Sequence, residues 1–182
     1  GAGVEVTRHL IGIRRMNHDK RTPFAAINWH APWLERYAAL GEAAAQRVLA
    51  GTCVAQALNR LIETGAAPDP GVRFVPQADL PSGMAYEQFI LERAQVPTRD
   101  NLHDFFNGLM WLHWPQTKRR MNQIHGAAVQ AQGVQARRGP LRDALTLLDE
   151  NAALLVAPAA LQHALQARQW QLAFVTLRPL WP

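Results

Sequence analysis

The chain carries one cysteine, Cys53, among 182 residues. A lone thiol excludes an internal disulfide and a cysteine-based zinc site. Its neighbours Val54, Ala57 and Leu58 form an apolar helical context, which fits a buried inert thiol better than a nucleophile. A reducing cytoplasm is the expected location. Long apolar runs are also missing: Arg, Gln, His or Glu interrupts each one within about a dozen residues, short of a membrane span. No membrane partner is therefore expected. A secretory leader is not expected either, since Leu10-Ile11-Gly12-Ile13 is too short for its apolar core and Arg14-Arg15 follows at once. The sequence has no internal repeat and no low-complexity segment, and it starts without Met, which suggests a trimmed or partial chain.

What is present suits a folded protein. Hydrophobic residues make up 48% and charged residues 18%, enough apolar surface for a core and far from a disordered composition. The length fits one domain. We expect a loose N-terminal arm over residues 1–22 and a single mainly helical domain over 23–182, truncated at its C-terminus. The net charge of +5 and pI near 10.3 raise nucleic acid as a partner. The basic residues are scattered, however. Arg14-Arg15, Lys118-Arg119-Arg120 and Arg137-Arg138 are short clusters with no nucleic-acid motif beside them, so that partner is not favoured.

Periodicity and punctuation predict a compact multi-helix, mainly α domain with at most two or three short strands. Pro32 suits the first turn of a helix carrying Leu34, Tyr37, Leu40 and Ala44. A second helix covers Cys53 to Glu63, with Thr52 as a cap and Gly65 as the stop. Val72-Arg73-Phe74-Val75 is the best strand candidate. A helix over Met84 to Arg93 ends at Val96-Pro97; the next begins near Asp100 and meets Pro115, which starts another running to about Gln132. Gly133 to Gly139 reads as a basic loop. Pro140 opens a helix ending near Leu148, Asp149-Glu150-Asn151 forms a turn, and Leu154-Leu155-Val156 is a short apolar run. A final helix from Pro158 turns Leu161, Leu165, Trp170 and Phe174 inward.

The densest chemistry lies in Pro97-Thr98-Arg99-Asp100-Asn101-Leu102-His103-Asp104-Phe105-Phe106-Asn107. At about 100° per residue, Asp100, His103, Asp104 and Asn107 share one stripe beside an apolar sector that holds Leu102, Phe105, Phe106, Leu109, Leu112 and His113. Trp111 and Trp114 fall on the side of the stripe. Thr98 or Asp100 is a natural N-cap, and Asp104 complements the helix dipole. Capping does not explain His103 or Asn107. His113 fits a core histidine satisfied by a backbone carbonyl.

A second polar group is Arg137-Arg138-Gly139-Pro140-Leu141-Arg142-Asp143, with Asp149-Glu150-Asn151 after it. Arg142 does not suit the start of a helix and calls for a partner such as a carboxylate in a bidentate clamp. Asp, His and Asn donors gathered together would instead suit a hard divalent cation, which could activate water. No His-Glu-x-x-His, Gly-rich phosphate loop or Gly-x-Ser-x-Gly elbow is present.

The runs Phe74-Val75-Pro76-Gln77, Tyr86-Glu87-Gln88-Phe89-Ile90, Val96 to Asn107, and Arg138-Gly139-Pro140-Leu141-Arg142-Asp143-Ala144-Leu145-Thr146 with Asp149-Glu150-Asn151 resemble a bacterial family known as domain of unknown function 3025. The likeness runs from about Trp29 to Asn151 or beyond. It implies that the two polar stretches belong to one pattern and that the family continues past this chain's end with a further His-containing segment. It implies no activity.

Two function classes compete. The first is a hydrolase in which His103 and Asp104 are acid/base or metal-binding groups, Asn107 and Asp100 orient them, and Arg99, Asn101, Arg142, Asp143, Asp149 and Asn151 bind substrate, with a divalent metal as the cofactor such donors would suit. The second is a non-catalytic interaction or scaffold protein whose polar stripe is a buried structural network, anchored by Trp29, Trp33, Trp111 and Trp114.

Overall fold

The computed structural model describes residues 22–132, 139–152 and 155–181. Expectations for the arm before Thr22, for the basic loop with Arg137-Arg138, for Leu154 and for Pro182 lie outside the described residues. The chain divides into two compact units, residues 1–138 and 139–182.

In the first unit a short turn, α1 (Thr22–Ala25), precedes α2 (Glu35–Leu49) and α3 (Val54–Glu63). The second of these starts later than Pro32 suggested, because residues 32–34 form turns ahead of it. Small residues on α2 (Gly41, Ala44, Ala45) and branched or small residues on α3 (Val54, Ala55, Ala57, Leu58, Leu61) are buried, so the two helices close tightly against each other. Trp29, Phe24 and Phe105 fill the same core.

The strand expected near Phe74 is present as β1 (Arg73–Pro76). A 3₁₀ turn (Gln77–Asp79) and α4 (Tyr86–Arg93) lead back to β2 (Gln95–Thr98), which runs parallel to β1 in the register Arg73–Gln95, Phe74–Val96, Val75–Pro97 and Pro76–Thr98. Val96-Pro97 is therefore a strand as well as a helix break. The reversal from α4 into β2 turns on Ala94, which takes a left-handed φ of 52°. The Arg73 N–H donates to the Ala94 carbonyl, so the backbone groups of Phe74 face away from β2. Asn59 on α3 meets both: its Nδ2 donates to the Phe74 carbonyl at 2.7 Å, and its Oδ1 accepts the Phe74 N–H at 3.0 Å.

Helices α5 (Leu102–His113) and α6 (Pro115–Gln132) complete this unit, with Pro115 in the first helical position as expected. Gly108 lets α5 close on α3, since a Cβ there would collide with the Leu58 side chain. Together these packings set α5 between α3 on one side and α4 and α6 on the other, which is what places its polar residues.

In the second unit α7 spans Pro140–Asn151 and α8 spans Ala159–Gln166, followed by a π-helical stretch (Leu172–Thr176) and a 3₁₀ turn (Arg178–Leu180). Asp149, Glu150 and Asn151 are the last turn of α7 rather than a separate turn. Leu161, Ala164 and Ala173 make a small core with Leu165, Leu177 and Trp181 against it. Trp170 and Phe174 are exposed, not inward. Helix α8 ends at Gln166 and Arg168 adopts a φ of 55°, so the later rings do not continue the face of Leu161. The expected mainly α architecture with few short strands holds: two strands form the sheet found among the described residues.

Candidate functional site

Helix α5 begins with a cap that uses three residues of the polar run. Asn101 is the N-cap, not Thr98 or Asp100: its backbone is extended (φ −146°, ψ 166°) and its side chain accepts the Asp104 N–H at 2.8 Å. Asp104 in turn reaches back to Arg99. One carboxylate oxygen accepts the Arg99 N–H at 2.7 Å and Nε at 3.0 Å, and the other accepts Nη2 at 2.9 Å. Asp104 is buried, whereas the Arg99 side chain is 57% exposed. The hydrogen bonds that its guanidinium donates to Asp104 raise the Arg99 pKa above its ordinary value. A carboxylate holding a bidentate guanidinium and a backbone N–H has three of its roughly four acceptor sites occupied.

Asp100 lies ahead of the helix rather than on its wheel. Its Oδ1 accepts the Val54 N–H at 2.8 Å. Val54 is the first residue of α3, and the N-cap there, Cys53, makes no side-chain cap. Asp100 supplies the missing acceptor from another element, at the positive end of the helix dipole. Thr52, the cap expected from the sequence, does not serve.

Asn107 sits one turn further along α5 and joins three elements. Its Nδ2 donates to the Tyr86 hydroxyl on α4 at 3.3 Å, and its Oδ1 accepts from Lys118 Nζ on α6 at 2.8 Å. Lys118 is 8% exposed, and its ammonium stands 5.8 Å from the centre of the Trp111 ring. A turn later on α6, Asn122 donates through Nδ2 to the Glu87 carbonyl at 2.7 Å. Tyr86, Asn107, Lys118 and Asn122 thus form a polar seam where α4, α5 and α6 meet.

His103 projects from the same helix into solvent and has no hydrogen-bond partner among the described residues. His113 is half-buried, with its ring edge-on to Tyr37 at 4.9 Å. Burial, and then the nearby Arg36 charge, lower its pKa. The backbone carbonyl expected for it is not found: its Nε2 is buried without a partner among the described residues. Of the tryptophans proposed as anchors, Trp29 and Trp111 are core, Trp114 is half-buried under Arg36, and Trp33 is exposed. Among the described residues no three His, Cys, Asp or Glu side chains converge as a metal site, and no helix is long and apolar enough to cross a membrane.

Residues 72–182 match the family model described as a protein of unknown function, DUF3025. The chain belongs to this family. No curated protein and no solved structure matches it. The DUF3025 match starts later than Trp29 and extends past Asn151, so it holds β1, the polar run, the seam and all of the second unit.

The second group of candidates lies on the DUF3025 segment's α7. Arg142 is half-buried, makes no ion pair among the described residues, and has a buried Nε without a partner there. Asp143, Asp149 and Asn151 are exposed. Among the described residues, the Arg–carboxylate clamp built from the predicted set is Arg99 with Asp104.

Sequence reasoning missed Lys118, Tyr86 and Asn122. In the sequence Lys118 reads as part of a short basic cluster with Arg119 and Arg120, yet it is one of only two lysines in the chain and it is buried. The signal available was spacing: Lys118, Asn122 and His125 fall on one face of α6 at helical intervals, and all three are buried.

Proposed function

We propose that this DUF3025 protein is a non-catalytic interaction or scaffold protein whose polar stripe is a structural network fixing one arrangement of α3 to α6. One observation carries this reading: Asp100, Asn101, Asp104 and Asn107 each bond to a protein partner that holds a helix end or a helix–helix junction. Groups that hold caps and seams have a structural task that accounts for their placement without any chemistry. A second support is the second unit, where Leu147, Leu148, Trp170, Phe174 and Val175 are each at least half exposed. The Trp170 and Phe174 rings stack on each other, so part of this surface is contiguous, as in a partner-binding patch.

The test separates stability from chemistry. In this reading Asp104→Ala and Asn107→Ala lower the unfolding midpoint, while His103→Ala leaves stability unchanged and the wild type turns over no ester or phosphoester in a hydrolase panel. Turnover by the wild type that disappears in a folded His103→Ala variant would sink it.

The hydrolytic reading keeps a single support. His103 has no structural task among the described residues, and it lies one turn before Asn107 on an exposed face. In that reading His103 would be the acid/base group, with Asn107 as its nearest polar neighbour along the helix. The same panel decides between the two.

A further inference from the structure

The second unit carries an apolar patch that its own small core does not cover. Trp170, Leu172, Phe174, Val175 and Leu180 are all exposed, Val175 the most at 59%. They lie on one short piece of chain, made of the π-helical stretch Leu172–Thr176, the residues beside it and the 3₁₀ turn Arg178–Leu180. That piece is held from behind. Ala173 is buried in the small core, and its carbonyl accepts Trp181 Nε1 at 2.8 Å. Phe174 stacks on both Trp170 and Trp181, with ring centroids 6.2 and 5.2 Å apart. The three rings therefore form one aromatic row, pinned at Trp181 and exposed at Trp170.

The charge along this stretch has one sign. Glu150 is the last acidic side chain in the sequence, and after it the side chains that can carry charge are His163, Arg168 and Arg178. Arg168 lies two residues before Trp170, and Arg178 two residues before Leu180. Both are exposed, and neither joins an ion pair among the described residues. A pocket would need such guanidiniums aimed at one point. A lipid surface needs only their shared sign, because long arginine stems reach headgroup phosphates while apolar neighbours enter the layer beneath.

Resting on the interaction reading above, we infer that this patch binds the surface of a membrane containing anionic phospholipid. Trp170, Leu172, Phe174, Val175 and Leu180 enter the boundary between headgroups and acyl chains, and Arg168 and Arg178 meet the phosphates. Segments that lie in a membrane interface combine these residue types, and tryptophan rings settle at headgroup level. The aliphatic side chains decide against single-stranded nucleic acid. Trp170 and Phe174 could stack on bases, but Leu172, Val175 and Leu180 would stay in water there. A protein partner ordinarily engages roughly 20 to 30 residues a side, more than this one stretch presents. No described helix is long and apolar enough to cross a membrane, and a surface contact needs none; the expectation of no membrane partner rests on the missing span alone.

The test is flotation of the full chain with vesicles of phosphatidylcholine alone and of equal parts phosphatidylcholine and phosphatidylglycerol. Binding to the anionic vesicles is expected, weaker at high salt and several-fold weaker with the neutral vesicles. Phe174→Ser and Val175→Ser should each weaken it by about tenfold, the worth of one large apolar side chain withdrawn from water. Circular dichroism checks that both variants fold. Arg168→Gln combined with Arg178→Gln should bring the anionic vesicles down to the neutral level. Trp33→Ser, which removes an exposed ring from the first unit, should change nothing. The inference is overturned by no binding to anionic vesicles, by equal losses in Trp33→Ser and Phe174→Ser, or by capture on a single-stranded oligonucleotide with none on vesicles. Any of these leaves the caps and seams of α3 to α6 standing, whereas ester or phosphoester turnover that disappears in His103→Ala would overturn the interaction reading itself.

Discussion

The Asp100 carboxylate caps a helix that begins 46 residues earlier, accepting the Val54 N–H at 2.8 Å. Local chain at that point offers only Cys53, whose side chain makes no cap. Removing the acceptor in Asp100→Ala should cost about 1 kcal/mol, the usual worth of an N-cap. Chemical denaturation measures it. Adding Cys53→Ser to that variant puts a capping hydroxyl at the N-cap itself and should recover part of the loss; no recovery would mean that Asp100 acts other than as a cap.

Asp104 and Arg99 are unequal partners. Asp104 is buried and holds a backbone N–H besides the guanidinium, whereas Arg99 is largely in solvent. Asp104→Ala should therefore destabilise by about 2 kcal/mol, in the range for hydrogen bonds to a charged group. Arg99→Ala should lose less than about 1 kcal/mol, as exposed ion pairs do. Equal losses in the two unfolding curves would contradict this ordering.

The seam makes a prediction about coupling. Lys118 Nζ and Asn107 Oδ1 are 2.8 Å apart with the lysine buried. A double-mutant cycle with Lys118→Met and Asn107→Ala should return a coupling energy of about 1 kcal/mol or more. Additive effects would show that the two residues stabilise the helices independently.

His113 sets a direction with pH. Its folded pKa lies below the ordinary 6.5 because burial and Arg36 disfavour the imidazolium. Below that ordinary value the unfolded chain takes up a proton that the folded chain does not, so this residue withdraws stability as pH falls from neutrality through the histidine range. Above it the imidazole is neutral in both states and the effect vanishes. His113→Gln should flatten the fall in melting temperature between pH 7 and lower pH relative to the wild type. A steeper fall would reverse the sign.

Much of the helical framework was legible because its signals are local. Pro115 and Pro140 occupy first helical positions as their missing N–H groups require, and Phe74 lies in the expected strand. What escaped depended on distant partners. Val96-Pro97 reads locally as a helix break; only pairing with β1 makes it a strand, and Pro97 is tolerated there because a two-stranded sheet has only edges. Asp104 and Asn107 were visible as a cluster, but their partners Arg99, Tyr86 and Lys118 decide what the cluster does. A wheel drawn through Asp100 assumed helix where the chain is still extended towards Asn101. Beyond the end of α8 the left-handed Arg168 breaks the helical face, and Trp170 and Phe174 after it are exposed.

The Asn59 amide matters for what this protein does not do. By meeting both backbone groups of Phe74 it fills the place where a third strand would dock. A short parallel ladder with that side open is a template for another chain's strand, and such edges are where soluble proteins begin to aggregate. One side chain, imitating the donor and acceptor of a neighbouring strand, occupies the β1 edge at Phe74, so a third strand could pair there only by displacing it.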